Sequence, residues 1–390
     1  MAFTGTIMNP SIYIIALAQL CFMSINMMYV LTSSLIGDNL APYKILSTAP
    51  LASMFFAILI STPIANKLMN TYGRIVIFRI TSVLLIVFAV TGYFSIILES
   101  FYLFLLASIM LGVAISVTNF FRFAAMQSVE SSKMAQALSI IMLMGVASSL
   151  IAPNLSKNID TLLDFQFSAV YVAMIPFGLI MLIAFFFIKN EKPNKKNITT
   201  TKIKMPRKLL LPSIHATIAN AIMVFVMGVT SSAMVDHMNF SFSDSAFVIQ
   251  WHMLGMFAPS LFSAWLIKKL GIFQFQYLGA WILLAALCIN VFISNHLSLT
   301  LSLLMLGIGW NFVYIGASTQ LVKWSSQQQL SYAQSRNEMM IVAFSGTAML
   351  FSGSILTQLG WELLNAFAII PIIILIALLF YKPNHIAPND

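Results

Sequence analysis

Residues 189–208 read KNEKPNKKNITTTKIKMPRK, with eight Lys or Arg and a single Glu. Nothing else in the 390-residue chain resembles this stretch, because 60% of the chain is hydrophobic and only 8% is charged. Soluble domains carry about 25% charged residues. So few charges cannot cover a water-facing surface, which leaves the bilayer as the natural solvent. A polar joint between two apolar stretches of about equal length predicts an all-α membrane protein in two halves. The expected boundaries are 1–188 for the N-terminal half, 189–208 for a cytoplasmic linker and 209–390 for the C-terminal half.

A membrane-spanning helix needs roughly 20 apolar residues. Twelve such segments are expected, at 11–34, 44–66, 75–95, 101–124, 134–155, 166–188, 209–235, 246–267, 273–294, 297–320, 335–357 and 361–381. Period-2 alternation is absent, which argues against a β-barrel. Backbone polar groups in lipid must bond internally, and helices achieve this. The first ten residues hold no Lys or Arg, so the first segment reads as a retained span, not a cleaved leader.

The net charge of +9 is a topology signal. With an internal N-terminus, the loops on the inner side and their helix ends hold Lys67, Arg74, Arg122, Lys133, the eight central residues, Lys268, Lys269, Lys323 and Arg336. That is sixteen of the twenty Lys and Arg. Arg79 and Lys382 fall on the same side, and only Lys44 and Lys157 on the other. Positive charge collects in cytoplasmic loops. Both termini are therefore expected in the cytoplasm of a cell whose inner membrane the chain spans, with no nucleic-acid partner. Attraction of the central loop to anionic lipid is a secondary reading. Cys21 and Cys288 both lie in expected spans and read as small apolar residues.

The two halves share landmarks in order. Gly73 and Gly271 lie 198 positions apart, as do Gln136 and Gln334, while Leu111-Gly112 and Leu306-Gly307 lie 195 apart. A near-constant offset predicts two six-helix repeats, an architecture of large secondary transporters. The stretch from Asn66 to Arg74 resembles the loop signature of the major facilitator superfamily, G-x-L-x-D-R-x-G-R, through Leu68, Gly73 and Arg74. Asn66 and Asn70 stand where that signature has Gly and Asp. Segments at Asn119–Ala125, Trp251–Ser260, Leu306–Gly316 and Asn337-Glu338 are similar to a bacterial branch of the same superfamily. The resemblance spans nearly the whole chain and implies a transporter of the MFS fold, working by alternating access and expected to be monomeric. Asn70 keeps the shape of the signature without its charge. The helix-4 Arg of drug antiporters has no counterpart near Gly112, and their Gly-Pro pair appears as Ala152-Pro153. A drug/proton antiporter is thereby disfavoured.

In this fold the first helix of each three-helix unit lines the cavity, here segments 1, 4, 7 and 10. Polar groups at membrane depth mark candidate function. The expected solute contacts are Gln19, Asn26, Asn119, His215, Asn220, Trp310, Asn311 and Tyr314, with Ser24, Thr118 and Thr217 beside them. Gln250 and His252 on segment 8 are candidates for the same space. The competing reading is helix–helix hydrogen bonding, worth under ~1 kcal/mol each. The expected cytoplasmic gate comprises Asn70, Gly73, Arg74, Arg122, Arg336 and Glu338, with charges wetted by the interface as the competing reading. Every carboxylate falls near a segment end, so a coupling proton would have to ride on His215 or His252, or on Asp236-His237. Met and Phe are abundant, 25 and 32, which suits either an adaptable wall or plain lipid-facing bulk.

No Walker loop and no metal-ligand spacing occur. Neither an enzyme nor a cofactor is expected. The predicted function is secondary transport of a small organic solute, with proton coupling open. A facilitated-diffusion carrier without ion coupling and a transporter-like sensor stand as alternatives.

Overall fold

The computed structural model describes residues 10–130, 134–190 and 207–380. Most of the charged stretch that decides the sequence reading, 191–206, lies outside them. Thirteen α-helices are described: α1 (Pro10–Leu40), α2 (Ala49–Tyr72), α3 (Arg74–Ile97), α4 (Phe101–Thr118), α5 (Phe121–Gln127), α6 (Met134–Ile159), α7 (Ser168–Phe186), α8 (Arg207–Ser232), α9 (Phe242–Phe257), α10 (Ser260–Leu270), α11 (Ile272–Phe292), α12 (His296–Trp324) and α13 (Gln327–Phe380). Among the described residues there is no strand.

Ten helical stretches among the described residues are long and apolar enough to cross a bilayer, against the twelve expected. The difference lies in two places. Segments 335–357 and 361–381 form one helical run, α13, turned at Gly360 with φ 81°. Segment 246–267 divides into α9 and α10, neither of which is long enough alone. Pro259 is the cause: it has no N–H to donate and stands between the two helices. Segment 101–124 is also interrupted, by a turn at Asn119-Phe120 between α4 and α5. Side chains such as Ile60, Phe187 and Phe292 lie more than two-thirds exposed, as expected where lipid replaces water around the protein.

The chain forms two compact units, one of residues 1–32 and 56–196, the other of 33–55 and 197–390. In the first, α3 packs against α4 and α7. Its core is aromatic: Phe78 meets Phe121 edge-on at 4.7 Å and Phe185 at 5.2 Å. Tyr29, Phe88, Phe104 and Tyr171 make a second group with centroids about 6 Å apart. In the second unit α8 packs against α12 and α13, and α12 against α9 and α11.

The glycine landmarks adopt one conformation. Gly73 opens α3 with φ 92° and ψ 152°, and Gly271 opens α11 with φ 87° and ψ 156°. Both lie where an L side chain is strained. Around Gly73 the space is also closed, because the Asn190 amide lies 2.4 Å from where a Cβ would sit, and it donates to Tyr72 O at 3.0 Å. Arg79 ties the same corner from α3, donating to the carbonyls of Phe185 and Ile188 with its guanidinium over the Phe186 ring.

Candidate functional site

Three helices of the second unit bring Asn220, Trp310 and Tyr314 together. Trp310 and Tyr314 sit four residues apart on α12, hence on one face. Their rings stack at 5.0 Å with an interplanar angle of 18°. Trp310 Nε1 donates to Asn220 Oδ1 on α8 at 2.9 Å, and Asn220 Nδ2 donates to Ser345 Oγ on α13 at 2.7 Å. Asn220 and Ser345 are buried, while Trp310 and Tyr314 are half-buried. Two flat rings, held in orientation by a chain of hydrogen bonds and still partly accessible, offer a surface on which a planar molecule stacks. The Tyr314 hydroxyl reaches Glu338 Oε1 at 3.4 Å.

The two histidines are buried in separate polar contacts. His215 Nδ1 lies 3.1 Å from Gln276 Oε1 on α11, and Gln276 Nε2 donates onward to Gln320 Oε1 on α12. His252 Nδ1 lies 2.8 Å from the Leu303 carbonyl. Oxygen acceptors at Nδ1 set the Nδ1–H tautomer in both rings. The Nε2 atoms, both buried, have no hydrogen-bond partner. His252 reaches α12 because glycine lets the backbones close in: a Cβ on Gly307 would lie 2.4 Å from His252 O.

Asn311 is engaged elsewhere. The break between α9 and α10 frees the Met256 carbonyl, and Asn311 Nδ2 donates to it and to Ser260 Oγ, both at 2.7 Å. Its Oδ1 faces Ser263 Oγ at 3.4 Å. The amide thus closes a helix break at a position 2% exposed. Asn119 lies exposed at the end of α4.

In the first unit Gln19, Met23 and Asn26 are half-buried along α1 at i, i+4 and i+7, one stripe on a helix otherwise mostly buried from residue 18 onward. Asn26 Oδ1 and the buried Ser24 Oγ have no hydrogen-bond partner.

The expected gate residues divide among local contacts. Arg74 Nη1 donates to Gln127 Oε1 at 2.5 Å, Asn70 Nδ2 reaches Asn66 Oδ1 at 3.4 Å, and the Arg122 guanidinium lies over Phe123 at 5.0 Å. In the second unit Arg336 lies over Tyr332 at 5.9 Å, while Glu338 faces Tyr314. Sequence reasoning missed Gln276, Gln320 and Ser345. The two glutamines carried a usable signal, as amides at membrane depth. Ser345 carried none, since serine is common in spans.

Comparison with known proteins bears on what such an arrangement does. Residues 14–320 match the model of the Major Facilitator Superfamily. The chain is 28% identical to the riboflavin transporter RfnT of Brucella anthropi, an alignment covering 97% of this chain and 98% of that one. Among solved structures, the nucleoside transporter NupG superposes with a TM-score of 0.73 at 12% identity, covering 96% of this chain and all of that one. The human organic anion transporter MFSD10 (TETRAN) gives 0.69 at 12% identity, covering 95% and 100%.

Proposed function

Because the chain belongs to the Major Facilitator Superfamily, and is a membrane transporter and not an enzyme, we propose that its solute is a planar, uncharged heteroaromatic molecule of the riboflavin kind. The Trp310–Tyr314 stack carries this reading. A flat ring system gains most from a rigid aromatic face, and Asn220, bonded to Trp310 and Ser345, holds that face in place. The riboflavin-transporting relative supports the same chemistry. Gln19 and Asn26 of α1 are the proposed contacts from the first unit. Transport proceeds by alternating access in a bacterial inner membrane, with both termini cytoplasmic, the central segment as tether and the monomer as working unit. Arg74, Arg122, Arg336 and Glu338 act at the cytoplasmic gate.

Coupling to protons would use the bare Nε2 of His215 or His252. A carrier without ion coupling is the second reading: among the described residues most carboxylates sit at or near a helix end, as Asp38 does in the last turn of α1 and Asp244 in the first turn of α9, with Glu338 and Glu362 inside α13 as exceptions. Liposomes holding the purified chain distinguish the two. Saturable riboflavin uptake that rises with an inward proton gradient supports coupling, and uptake indifferent to it supports the uncoupled carrier. No uptake above empty liposomes overturns the assignment of solute.

A further inference from the structure

At the end of α8 remote from the central segment, the last turn of α1 meets it within the second unit. Ser232 Oγ, on the last residue of α8, donates to Asp38 Oδ2 of α1. Ser232 also hydrogen-bonds Asp236, one turn further on. Residues 233–237 form a π-turn, closed by Met238 N donating to Ala233 O at 3.0 Å. Such widened turns are frequent at functional sites. Asp38 and Ser232 are buried, while Asp236 is exposed and open to protons from water.

A serine hydroxyl has one hydrogen and two lone pairs. It donates to one carboxylate only, so Asp236 bonds the same oxygen as a donor, in its protonated form. The chain runs from the Asp236 carboxyl through the Ser232 hydroxyl to the Asp38 carboxylate, two acids sharing one acidic proton. The other charged and titratable groups that bear on Asp236 are Lys44 and His237. Lys44 Nζ is engaged by the Asp38 backbone carbonyl at 2.9 Å. α13 brings Gly353 against Ser47 and Thr48, and Ser354 donates to Ile45 O at 3.2 Å. Residues 349–357 of that helix hold no charged group. The joint is also incompletely bonded. Ser34 Oγ, Thr48 Oγ1 and Ser231 Oγ, from the same segments, are buried without a hydrogen-bond partner. Water would satisfy these hydroxyls on opening, so closure is finely balanced.

We propose that Asp38, Ser232 and Asp236 form a proton-operated latch that joins the end of α1 to the end of α8. With the shared proton in place the two ends are held together. When Asp236 gives that proton to water, two carboxylates face one hydroxyl hydrogen and one of them loses its bond. Like charges then push the ends apart, and water reaches the three bare hydroxyls. On the proposed topology the latch lies on the outer side, and its working does not depend on that sidedness. It is separate from the Trp310–Tyr314 face and does not depend on the identity of the solute.

Electron–electron distance measurement tests the latch without reference to transport. Spin labels are placed through Tyr43→Cys and Ser243→Cys, both exposed positions, in the full chain in lipid nanodiscs with Cys21 and Cys288 replaced by alanine. Distances are read from about pH 5 to about pH 8, a span that covers proton loss from paired carboxylic acids. The expected result is a short distance at low pH that loses at least about half of its population to a longer one at high pH. Asp236→Asn, whose amide donates to Ser232 at every pH, should keep the short distance throughout. Asp38→Asn, which removes the other charge, should likewise abolish the response. Ser232→Ala should populate the longer distance at both ends of the range. A parent chain whose distance ignores pH overturns the proposal. So does a pH response that persists in the two Asn variants, or a Ser232→Ala chain indistinguishable from the parent.

Discussion

The first unit holds its helices together with aromatic rings, the second with amides and imidazoles. Among the described residues of the first unit, Phe78 and six other aromatic side chains, among them Tyr29, Phe121, Phe185 and Tyr171, are fully buried. Polar bonds reaching across helices there include Tyr29 OH to Ser108 Oγ at 2.7 Å, Ser148 Oγ to Leu20 O at 3.1 Å and Arg79 to the Phe185 carbonyl. The second unit instead joins α8, α9, α11, α12 and α13 through His215–Gln276–Gln320, Trp310–Asn220–Ser345, His252–Leu303 and Asn290–Asn365. Lipid offers no hydrophobic gain for apolar helix contact, so packing and polar bonds must supply association. The two units emphasise different halves of that pair. On the proposed function, the first unit chiefly packs and the second carries most of the solute contacts.

Substitutions of opposite kind should separate these roles. Phe78→Ala leaves a void of ~100 Å³ in the first unit, and at about 24 cal/mol per Å³ it should cost about 2 kcal/mol of stability. Thermal unfolding in detergent would show this as a lowered midpoint, with riboflavin affinity unchanged below the transition. Trp310→Ala should do the reverse. Loss of the stack should lower riboflavin uptake at least about tenfold, equivalent to about 1.4 kcal/mol, while the unfolding midpoint falls less than in Phe78→Ala, by the one bond to Asn220. Trp310→Phe should recover part of the loss.

The glycine corners sharpen the comparison from a shared feature. Gly73→Ala and Gly271→Ala each force an L side chain to positive φ with extended ψ, at about 1–3 kcal/mol. At Gly73 the new Cβ also meets the Asn190 amide, which is held by Tyr72 O, whereas at Gly271 it meets only the end of the Gln274 side chain at 2.8 Å. Gly73→Ala should therefore be the more destabilising of the two, and Asn190→Gly should relieve the difference. Equal midpoints for the two variants would show that Asn190 exerts no hold on that corner.

The smallest effects should come from single polar side chains. Asn290→Ala removes the donation to Asn365 Oδ1 at 2.9 Å and the acceptance from Ser302 Oγ, and should cost about 1 kcal/mol, from an average of about 0.6 kcal/mol per polar pair in membranes. Glu338→Gln should leave stability unchanged and slow turnover, since Tyr314 can still donate to the amide oxygen while the charge at the gate is lost. Unchanged uptake in Glu338→Gln would remove Glu338 from the gate.

Much of the fold was legible in one dimension, because lipid imposes long apolar runs and leaves positive charge at their ends. Gly73 and Gly271 stood out for the same reason they matter, as glycines at matching offsets that take the same positive φ. What stayed hidden were the breaks. Pro259 inside an apolar run reads as a tolerated kink, and only the partner Asn311, fifty-two positions along the chain, shows that the freed Met256 carbonyl is satisfied from α12. The same fact relocates Asn311. A polar residue on a cavity-lining segment looks alike in sequence whether it faces solute or a neighbouring backbone. Trp310 and Tyr314 were legible as candidates because that segment lines the cavity in the family the chain resembles. Ser345, which completes their hydrogen-bond chain, was not.

The central claim is that the Trp310–Tyr314 face receives a planar solute, and fluorescence quenching tests it most directly. Riboflavin fluorescence is titrated with the purified chain and with Trp310→Ala, both checked to be folded at the titration temperature. Saturable quenching by the parent chain, lost in the variant, is the predicted result. Saturable quenching of equal strength by both, or none by the parent chain, would contradict it.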